Sequence, residues 1–137
     1  MEKISDSYEA TIKIAKEFAK NLKPNDIVLL YGDLGAGKTC FVNGILEGLG
    51  FFEGGSSPTF TIVNEYPLNP PVNHFDLYRI KNEEELYEIG FCEYLDSGRI
   101  SLIEWPDNAK GILSDYAVIK LEIELTDKEN ERVIKIG

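Results

Sequence analysis

The chain has 137 residues, with 24 acidic against 14 basic side chains and a formal net charge of −10 at pH 7. This length suits a single domain over residues 1–137, with a core that needs no disulfide or structural metal. The negative charge disfavours direct binding of nucleic acid, which requires a basic surface. With no apolar stretch long enough to cross a membrane and no apolar signal region, we expect a cytoplasmic protein.

In chain order, the first predicted element is an amphipathic, charged helix. Met1 to Lys3 lead into it, Ser5–Ser7 offer cap residues, and its apolar spacing continues to Lys23. A turn at Pro24–Asp26 then leads into Ile27–Tyr31, an apolar run of strand length.

Directly after this strand, residues 32–39 read Gly-Asp-Leu-Gly-Ala-Gly-Lys-Thr. This is the phosphate-loop pattern G-x-x-x-x-G-K-[ST], in which backbone N–H groups surround phosphate oxygens. It predicts ATP and Mg²⁺ as cofactors, with the Lys38 ammonium at the β/γ-phosphates and the Thr39 hydroxyl on the metal. The predicted nucleotide contacts are Gly32, Asp33, Gly35, Ala36, Gly37, Lys38, Thr39 and Cys40.

The order of elements supports this interpretation over a chance glycine-rich turn. A predicted helix at residues 41–49 follows the loop, and Gly50 is a stop signal. Strand, loop and helix therefore come in the order that a phosphate-loop unit requires.

The rest of the chain predicts further strands and one helical stretch. We predict a flexible segment at Gly54–Pro58. The acidic stretch at residues 82–96 is predicted to be helical in one or two pieces that end at Leu95. Asn82 would cap this stretch, and Glu85 would complete a capping box. The predicted strands are 59–66, 72–78, 100–104, 118–125 and 132–136. The sum is an α/β fold resembling a phosphate-loop NTPase, with a mixed β-sheet flanked by helices.

Two acids stand where predicted strands end. Glu104 follows the apolar run 100–103, and Asp76 ends the run 72–75. Carboxylates at such positions can hold Mg²⁺ directly or through its water shell, and hydrolysis also needs a group that orients the attacking water. We therefore predict Glu104 and Asp76 as metal and catalytic residues together with Lys38, and Trp105 as a wall of the site.

Three other features leave alternatives open. The acidic stretch has no Lys or Arg, so it is a solvated helix face or a docking face for a basic partner. Cys40 beside a helix start could have a lowered pKa, although a small buried side chain is favoured. Cys92 lies far from it, so both are expected as reduced thiols, and the lone His74 leaves no zinc-site spacing.

The chain resembles the TsaE family, the small bacterial ATPases of tRNA threonylcarbamoyladenosine biosynthesis. The phosphate loop is generic, but the phrases His-Phe-Asp-Leu-Tyr-Arg and Ile-Glu-Trp-Pro are specific to this family among phosphate-loop proteins. The matching segments occur in family order at residues 32–39, 57–63, 74–79, 85–94 and 102–106.

The resemblance implies partners and roles that the residues alone do not indicate. The family acts with TsaB and TsaD, which attach threonylcarbamoyl to adenosine 37 of tRNAs reading ANN codons. Its ATPase supports turnover of that complex and is weak in isolation, so tRNA contact is expected only through the complex. Lys38 and Thr39 match the phosphate and Mg²⁺ positions, and Glu104 and Asp76 match the functional acids. Thr59 and Thr61 match a nucleotide-sensing segment.

Two positions depart from the family pattern. Cys40 stands where the family often has a second Thr, which leaves Thr39 as the metal hydroxyl. Residues 107–109 read Asp-Asn-Ala in place of a run like Glu-Arg, which puts a base-contacting role there in doubt.

Two other functions compete with this one. A small-molecule kinase shares the loop but usually needs an Arg-rich lid, and the three arginines of this chain are scattered. A nucleotide-dependent interaction module would bind without hydrolysing, which Glu104 and Asp76 disfavour.

Overall fold

The computed structural model describes residues 1–33, 35–52 and 62–137. Its strands are β1 Glu2–Ser5, β2 Ile27–Tyr31, β3 Val63–Tyr66, β4 Val72–Asp76, β5 Ile100–Glu104, β6 Ile119–Leu125 and β7 Arg132–Ile136. Its helices are α1 Tyr8–Ala19, α2 Lys38–Gly48, α3 Glu83–Glu88, α4 Phe91–Leu95 and α5 Lys110–Leu113, with a 3-10 turn at Pro106–Ala109.

The strands hydrogen-bond into one mixed sheet. Their order in the described part of the chain is β1-β7-β6-β2-β5-β4-β3. The pairs β1/β7, β6/β7 and β3/β4 are antiparallel, whereas β4 and β5 run parallel. The predicted α/β class with a mixed sheet is therefore confirmed.

By its internal contacts the chain divides into two compact units. The first comprises Met1–Leu22, Leu30–Ser56 and Lys120–Gly137, and the second comprises Lys23–Leu29 and Ser57–Ile119. The single domain over residues 1–137 stays a prediction.

The N-terminus of the first unit differs from the predicted helix. Residues Glu2–Ser5 form β1, which pairs in antiparallel register with β7, and this strand was not predicted from the sequence. Ser7 is the N-cap, and its side chain accepts the Ala10 N–H at 3.0 Å. The helix ends at Ala19 rather than Lys23, because the chain tightens there into turns that bond Asn21 N–H to the Phe18 carbonyl.

Helix α1 packs closely on α2 within the first unit. Gly44 of α2 is buried, and a Cβ there would overlap the Ala15 Cβ and lie 3.0 Å from the Ile12 carbonyl oxygen. Phe18 and Phe41 add a tilted ring contact with centroids 5.8 Å apart. The absence of a side chain at Gly44 is thus a packing requirement of this helix pair.

We expect Gly44→Ala to lower the free energy of unfolding by about 1–3 kcal/mol, because the added methyl overpacks the α1–α2 contact. Alanine is the better helix former by roughly 1 kcal/mol, so propensity alone predicts the opposite sign. Urea denaturation measures the difference. The pair Ala15→Gly with Gly44→Ala restores the space and should recover part of the loss. A single variant as stable as the parent would contradict the packing argument.

The second unit is built on the parallel pair β4 and β5. All five residues of β5 are buried, as are the first four of β4. Phe75 packs edge-on against Phe91 and Tyr94, with ring centroids 4.9 and 5.6 Å apart. Because side chains alternate along a strand, His74 and Asp76 lie on the face opposite to Phe75.

The acidic stretch of this unit forms two short helices, as predicted, and the second of them ends at Leu95. Asn82 caps the first, since its Oδ1 accepts the Glu85 N–H at 3.2 Å. The Glu85 carboxylate accepts the Lys81 N–H rather than that of Asn82, so the predicted capping box closes one residue earlier. Glu83 accepts the Ile112 N–H at 2.7 Å and is therefore a structural contact as well as a surface charge.

Candidate functional site

The glycine-rich loop of the first unit joins β2 to α2 in the predicted order. Gly37 is the N-cap of α2 with φ 110° and ψ 20°, a left-handed conformation that disfavours any residue with a Cβ. No side chain caps this helix. Its N-terminal N–H groups and dipole are therefore arranged as an anion-binding site.

The start of the loop is held by close backbone packing. A Cβ on Gly32 would lie 2.9 Å from the Ile123 carbonyl oxygen, so only glycine fits this approach to β6. The Ala36 N–H donates to the Asp33 carbonyl at 3.0 Å, and Ala36 is buried. Of the predicted phosphate contacts, Lys38 is buried at 7% exposure and Thr39 lies at the surface.

Arg132 fixes the loop from β7. Its Nε donates to the Ala36 carbonyl at 3.0 Å, and its Nη1 donates to the Glu129 and Glu131 carbonyls at 2.8 and 2.9 Å. In the sequence, Arg132 is one of three scattered arginines. No local signal marks this contact, because the two residues are 96 positions apart in the chain.

Cys40 follows the loop in the first turn of α2, and its thiol is held in the neutral form. Burial raises the pKa of Cys40 to about 11, and the opposing effect of the Arg132 charge is smaller. The Sγ–H donates weakly to the Tyr8 carbonyl at 3.9 Å. The favoured interpretation as a partly buried small side chain therefore agrees with the structure, and a pKa lowered by the helix start does not.

We expect Cys40 to react with iodoacetamide at pH 8 roughly 100-fold more slowly in the folded protein than in urea, because the thiolate fraction falls with the raised pKa. Mass spectrometry of the alkylated peptides measures both rates, and alkylation of the Cys92 peptide shows that the reagent is active in each sample. Since the unfolded thiol ionises near its ordinary pKa of 9.0, the stability that neutral Cys40 contributes is lost as pH rises between about 9 and 11. Equal folded and unfolded rates would contradict this.

Two concavities adjoin the loop in the first unit. One has a volume of about 390 Å³ and is lined by Tyr31, Gly32, Asp33 and residues 122–125. The other, of about 160 Å³, is lined by Ser7, Tyr8, Thr11, Ala36, Gly37, Cys40, Asn130 and Arg132. They leave room on the surface beside the loop for parts of a ligand other than its phosphates.

The two predicted acids belong to the second unit and meet there. Asp76 is the last residue of β4 and Glu104 the last of β5, and they are paired in parallel register. Residues in register share a face of the sheet, so both carboxylates lie on one face at the same end of two strands. Glu104 is 5% exposed, whereas Asp76 is half-buried and its Oδ1 accepts the Tyr78 N–H at 3.1 Å.

Glu104 has a partner that the sequence analysis missed. The His74 Nε2 lies 2.7 Å from a Glu104 carboxylate oxygen, and both side chains are buried. The motif His-Phe-Asp contained the signal, because His74 is two residues before Asp76 and so shares its face of β4. A buried carboxylate requires such a partner, since leaving the charge unpaired is costly.

Trp105, directly after Glu104, has an unusual backbone conformation. Its φ of 57° and ψ of 50° are left-handed, which is rare for a bulky residue, and strained backbone of this kind clusters at active sites and ligand clamps. Its ring packs against Tyr78 with centroids 5.0 Å apart. Asn108 then donates its side-chain N–H to the Leu77 carbonyl at 2.7 Å, which ties the segments after β4 and β5 together.

The loop thus belongs to the first unit, and the two acids belong to the second, where they lie side by side. Thr59 and Thr61 of the nucleotide-sensing segment, the segment Gly54–Pro58 and the loop residue Leu34 lie outside the described residues. Among the described residues there is no group of three His, Cys, Asp or Glu side chains that could hold a metal alone. The oxygens of the Asp76 and Glu104 carboxylates are hard ligands of the kind that Mg²⁺ takes, one or two at a time, together with phosphate oxygens.

None of the helices in residues 1–33, 35–52 and 62–137 has the length and apolar character needed to cross a bilayer.

Comparison with known proteins places these features in a family. The model of the family described as "Threonylcarbamoyl adenosine biosynthesis protein TsaE" matches residues 5–134. The tRNA threonylcarbamoyladenosine biosynthesis protein TsaE of Rickettsia felis is 45% identical over 138 residues, covering 97% of this chain and 77% of the relative. The protein of that name from Bacillus subtilis is 46% identical over 98 residues, covering 71% of this chain and 61% of the relative.

A solved structure matches the fold. The crystal structure of Bacillus subtilis YdiB aligns with a TM-score of 0.77 and 31% identity, over 99% of this chain and 83% of that one. This likeness confirms the predicted fold class, a mixed sheet with flanking helices of the phosphate-loop kind.

Proposed function

The chain belongs to the TsaE family of threonylcarbamoyl adenosine biosynthesis proteins, and on this premise we propose that it is a Mg²⁺-dependent ATPase of that tRNA modification. The observation that carries the proposal is the loop at residues 32–39, with its left-handed Gly37 and the uncapped start of α2. Such a loop presents N–H groups and a positive helix end to phosphate oxygens. Lys38 adds a cation for the β/γ-phosphates.

Oxygen atoms of the chain and of the nucleotide would bind the metal. The Thr39 hydroxyl is one, and Glu104 or Asp76 supplies a carboxylate, either directly or through water. When bound, Mg²⁺ would neutralise the negative charge on the phosphate oxygens.

The two acids divide the remaining work. Glu104 ends the fully buried strand β5 and is fixed by His74, which suits a rigid metal ligand. Asp76 is half-buried and more accessible, which suits a group that supports the metal's water shell or orients the attacking water.

Partner proteins complete the proposed activity. We propose that TsaB and TsaD stimulate an ATPase that is weak alone, and that tRNA is met only through that complex. The acidic stretch offers a surface for a basic partner, because Glu84, Glu88 and Glu93 are exposed and Tyr87 is 63% exposed beside them. Tyrosine is enriched in protein interfaces, and acidic side chains around it complement the charge of a basic partner.

The test is ATP turnover measured for the chain alone, with a TsaB–TsaD pair, and with that pair plus tRNA. We expect weak turnover alone and a clear increase with the pair. A screen of phosphate acceptors in parallel separates hydrolysis from a small-molecule kinase. ATP binding with no turnover in the full mixture would leave only the interaction module, and no ATP binding would refute the proposal.

We expect the isolated chain not to shift tRNA in a gel at moderate salt, because its net charge of −10 repels phosphates. The same assay with the TsaB–TsaD pair present is the positive control. Tight tRNA binding by the chain alone that weakens with added salt would show a basic surface and contradict the indirect contact.

A further inference from the structure

The hydrogen bond between His74 and Glu104 has a role beyond filling the core. We propose that His74 is a positioning residue, which fixes one oxygen of the Glu104 carboxylate and so orients the other towards its ligand. This inference rests on the proposed function only in taking Glu104 as a site residue. The pair lies within the second unit, with 2.7 Å between Nε2 and the carboxylate oxygen and exposures of 1% and 5% for the two residues.

The partners of the ring determine which nitrogen carries the proton. An ionised carboxylate only accepts hydrogen bonds, so the His74 Nε2 donates. The other nitrogen, Nδ1, is buried and has no partner in the described part of the chain. A proton there would be a buried N–H donor without an acceptor, and orphaned buried N–H groups are rare in proteins. The geometry therefore assigns to Nε2 the proton that the ring shares with Glu104.

The strands make this contact rigid. His74 pairs in register with Leu102, and Asp76 pairs with Glu104, so the hydrogen bond runs diagonally across β4 and β5 on the face that carries both acids. Glu104 is anchored by a strand neighbour rather than by a loop, and sites held by strands are more precise than sites held by loops. Histidine in this position acts on the carboxylate as partners of metal ligands do elsewhere.

A spectroscopic test needs no nucleotide. His74 is the only histidine of the chain, so ¹⁵N-histidine NMR of the untagged protein gives a single imidazole. We expect the tautomer with Nε2 protonated and a downfield Nε2 proton that moves upfield in Glu104→Gln. Ser101→Ala is the matched control. Ser101 is buried in β5, the strand of Glu104, on the face of the sheet opposite to that side chain, and its hydroxyl has no partner among the described residues. The Nδ1-protonated tautomer would overturn the inference.

The functional test separates positioning from packing. A fluorescent ATP analogue is titrated with Mg²⁺ and with EDTA against His74→Phe, His74→Gln and Ser101→Ala. Glutamine keeps an N–H near the Nε2 position, whereas phenylalanine keeps only the ring volume. We expect His74→Phe to lose roughly 10-fold in Mg²⁺-dependent affinity with the EDTA value unchanged, as for other partners of metal ligands. The glutamine and Ser101 variants should stay close to the parent.

The same titration in a Glu104→Gln background decides whether His74 acts through Glu104. We expect His74→Phe to have no further effect there. An equal loss in both backgrounds, or parental Mg²⁺ dependence in a folded His74→Phe, overturns the inference. If His74→Phe does not fold, the tautomer and the shift of the Nε2 proton in Glu104→Gln decide it. If the parent binds no nucleotide, the proposed function is refuted, and the NMR experiment still tests the contact between His74 and Glu104 independently.

Discussion

Lys38→Ala is expected to lose most of the affinity for ATP while the chain stays folded. In the proposed site the ammonium would donate charge-assisted hydrogen bonds to phosphate, each worth about 1.5–3 kcal/mol, so one such contact corresponds to roughly 10- to 150-fold in affinity. Lys38 is 7% exposed in the structure, and an ammonium is costly to bury. Removing it should therefore not unfold the protein. Titration of a fluorescent ATP analogue measures the loss, and circular dichroism checks the fold.

Two further variants make this measurement specific. Lys13→Ala removes an exposed lysine from α1 of the same unit and should bind like the parent. Thr39→Ala should instead weaken the Mg²⁺ dependence of binding, because Cys40 cannot replace a hard oxygen ligand. Unchanged ATP affinity in a folded Lys38→Ala protein would refute the phosphate-loop assignment.

Glu104→Gln and Asp76→Asn are each expected to reduce ATP turnover in the complete TsaB–TsaD mixture by roughly 100-fold, with a smaller loss, of about 10-fold for Glu104→Gln, in Mg²⁺-dependent nucleotide affinity. Loss of a metal or water contact made in the transition state costs about 3 kcal/mol. Turnover should fall further than affinity, because that contact matters most when charge develops on the transferred phosphoryl group. Steady-state turnover and analogue titration on the same samples give the two quantities.

These two substitutions are chosen to preserve the fold. Glutamine keeps the shape of Glu104 and an acceptor for the His74 Nε2. Asparagine keeps an Oδ1 that accepts the Tyr78 N–H, and an asparagine turn is as favourable as an aspartate turn. Asp115→Asn, an exposed acid in the second unit, is the matched control. If either site variant turns over ATP at the parental rate, that residue has no part in hydrolysis.

Local signals in the sequence predict several parts of the fold well. The strand 27–31, the loop at residues 32–39 and the helix after it are all present, and the structure has the predicted caps Ser7 and Asn82. The hydrophobic period and the capping residues act over a few positions, so they can be recognised without the rest of the chain. The two acids at strand ends were likewise identifiable, since each follows an apolar run.

By itself, the sequence therefore determined the α/β class and the family, and it placed Asp76 and Glu104 at the ends of strands. Only the tertiary structure decided that residues 2–5 form a strand, because that strand exists by pairing with β7 at the other end of the chain. It also decided that Arg132 holds the Ala36 carbonyl, that burial outweighs the helix start at Cys40, and that His74 meets Glu104. Each of these depends on sheet register or burial between residues distant in sequence, and no local propensity specifies either.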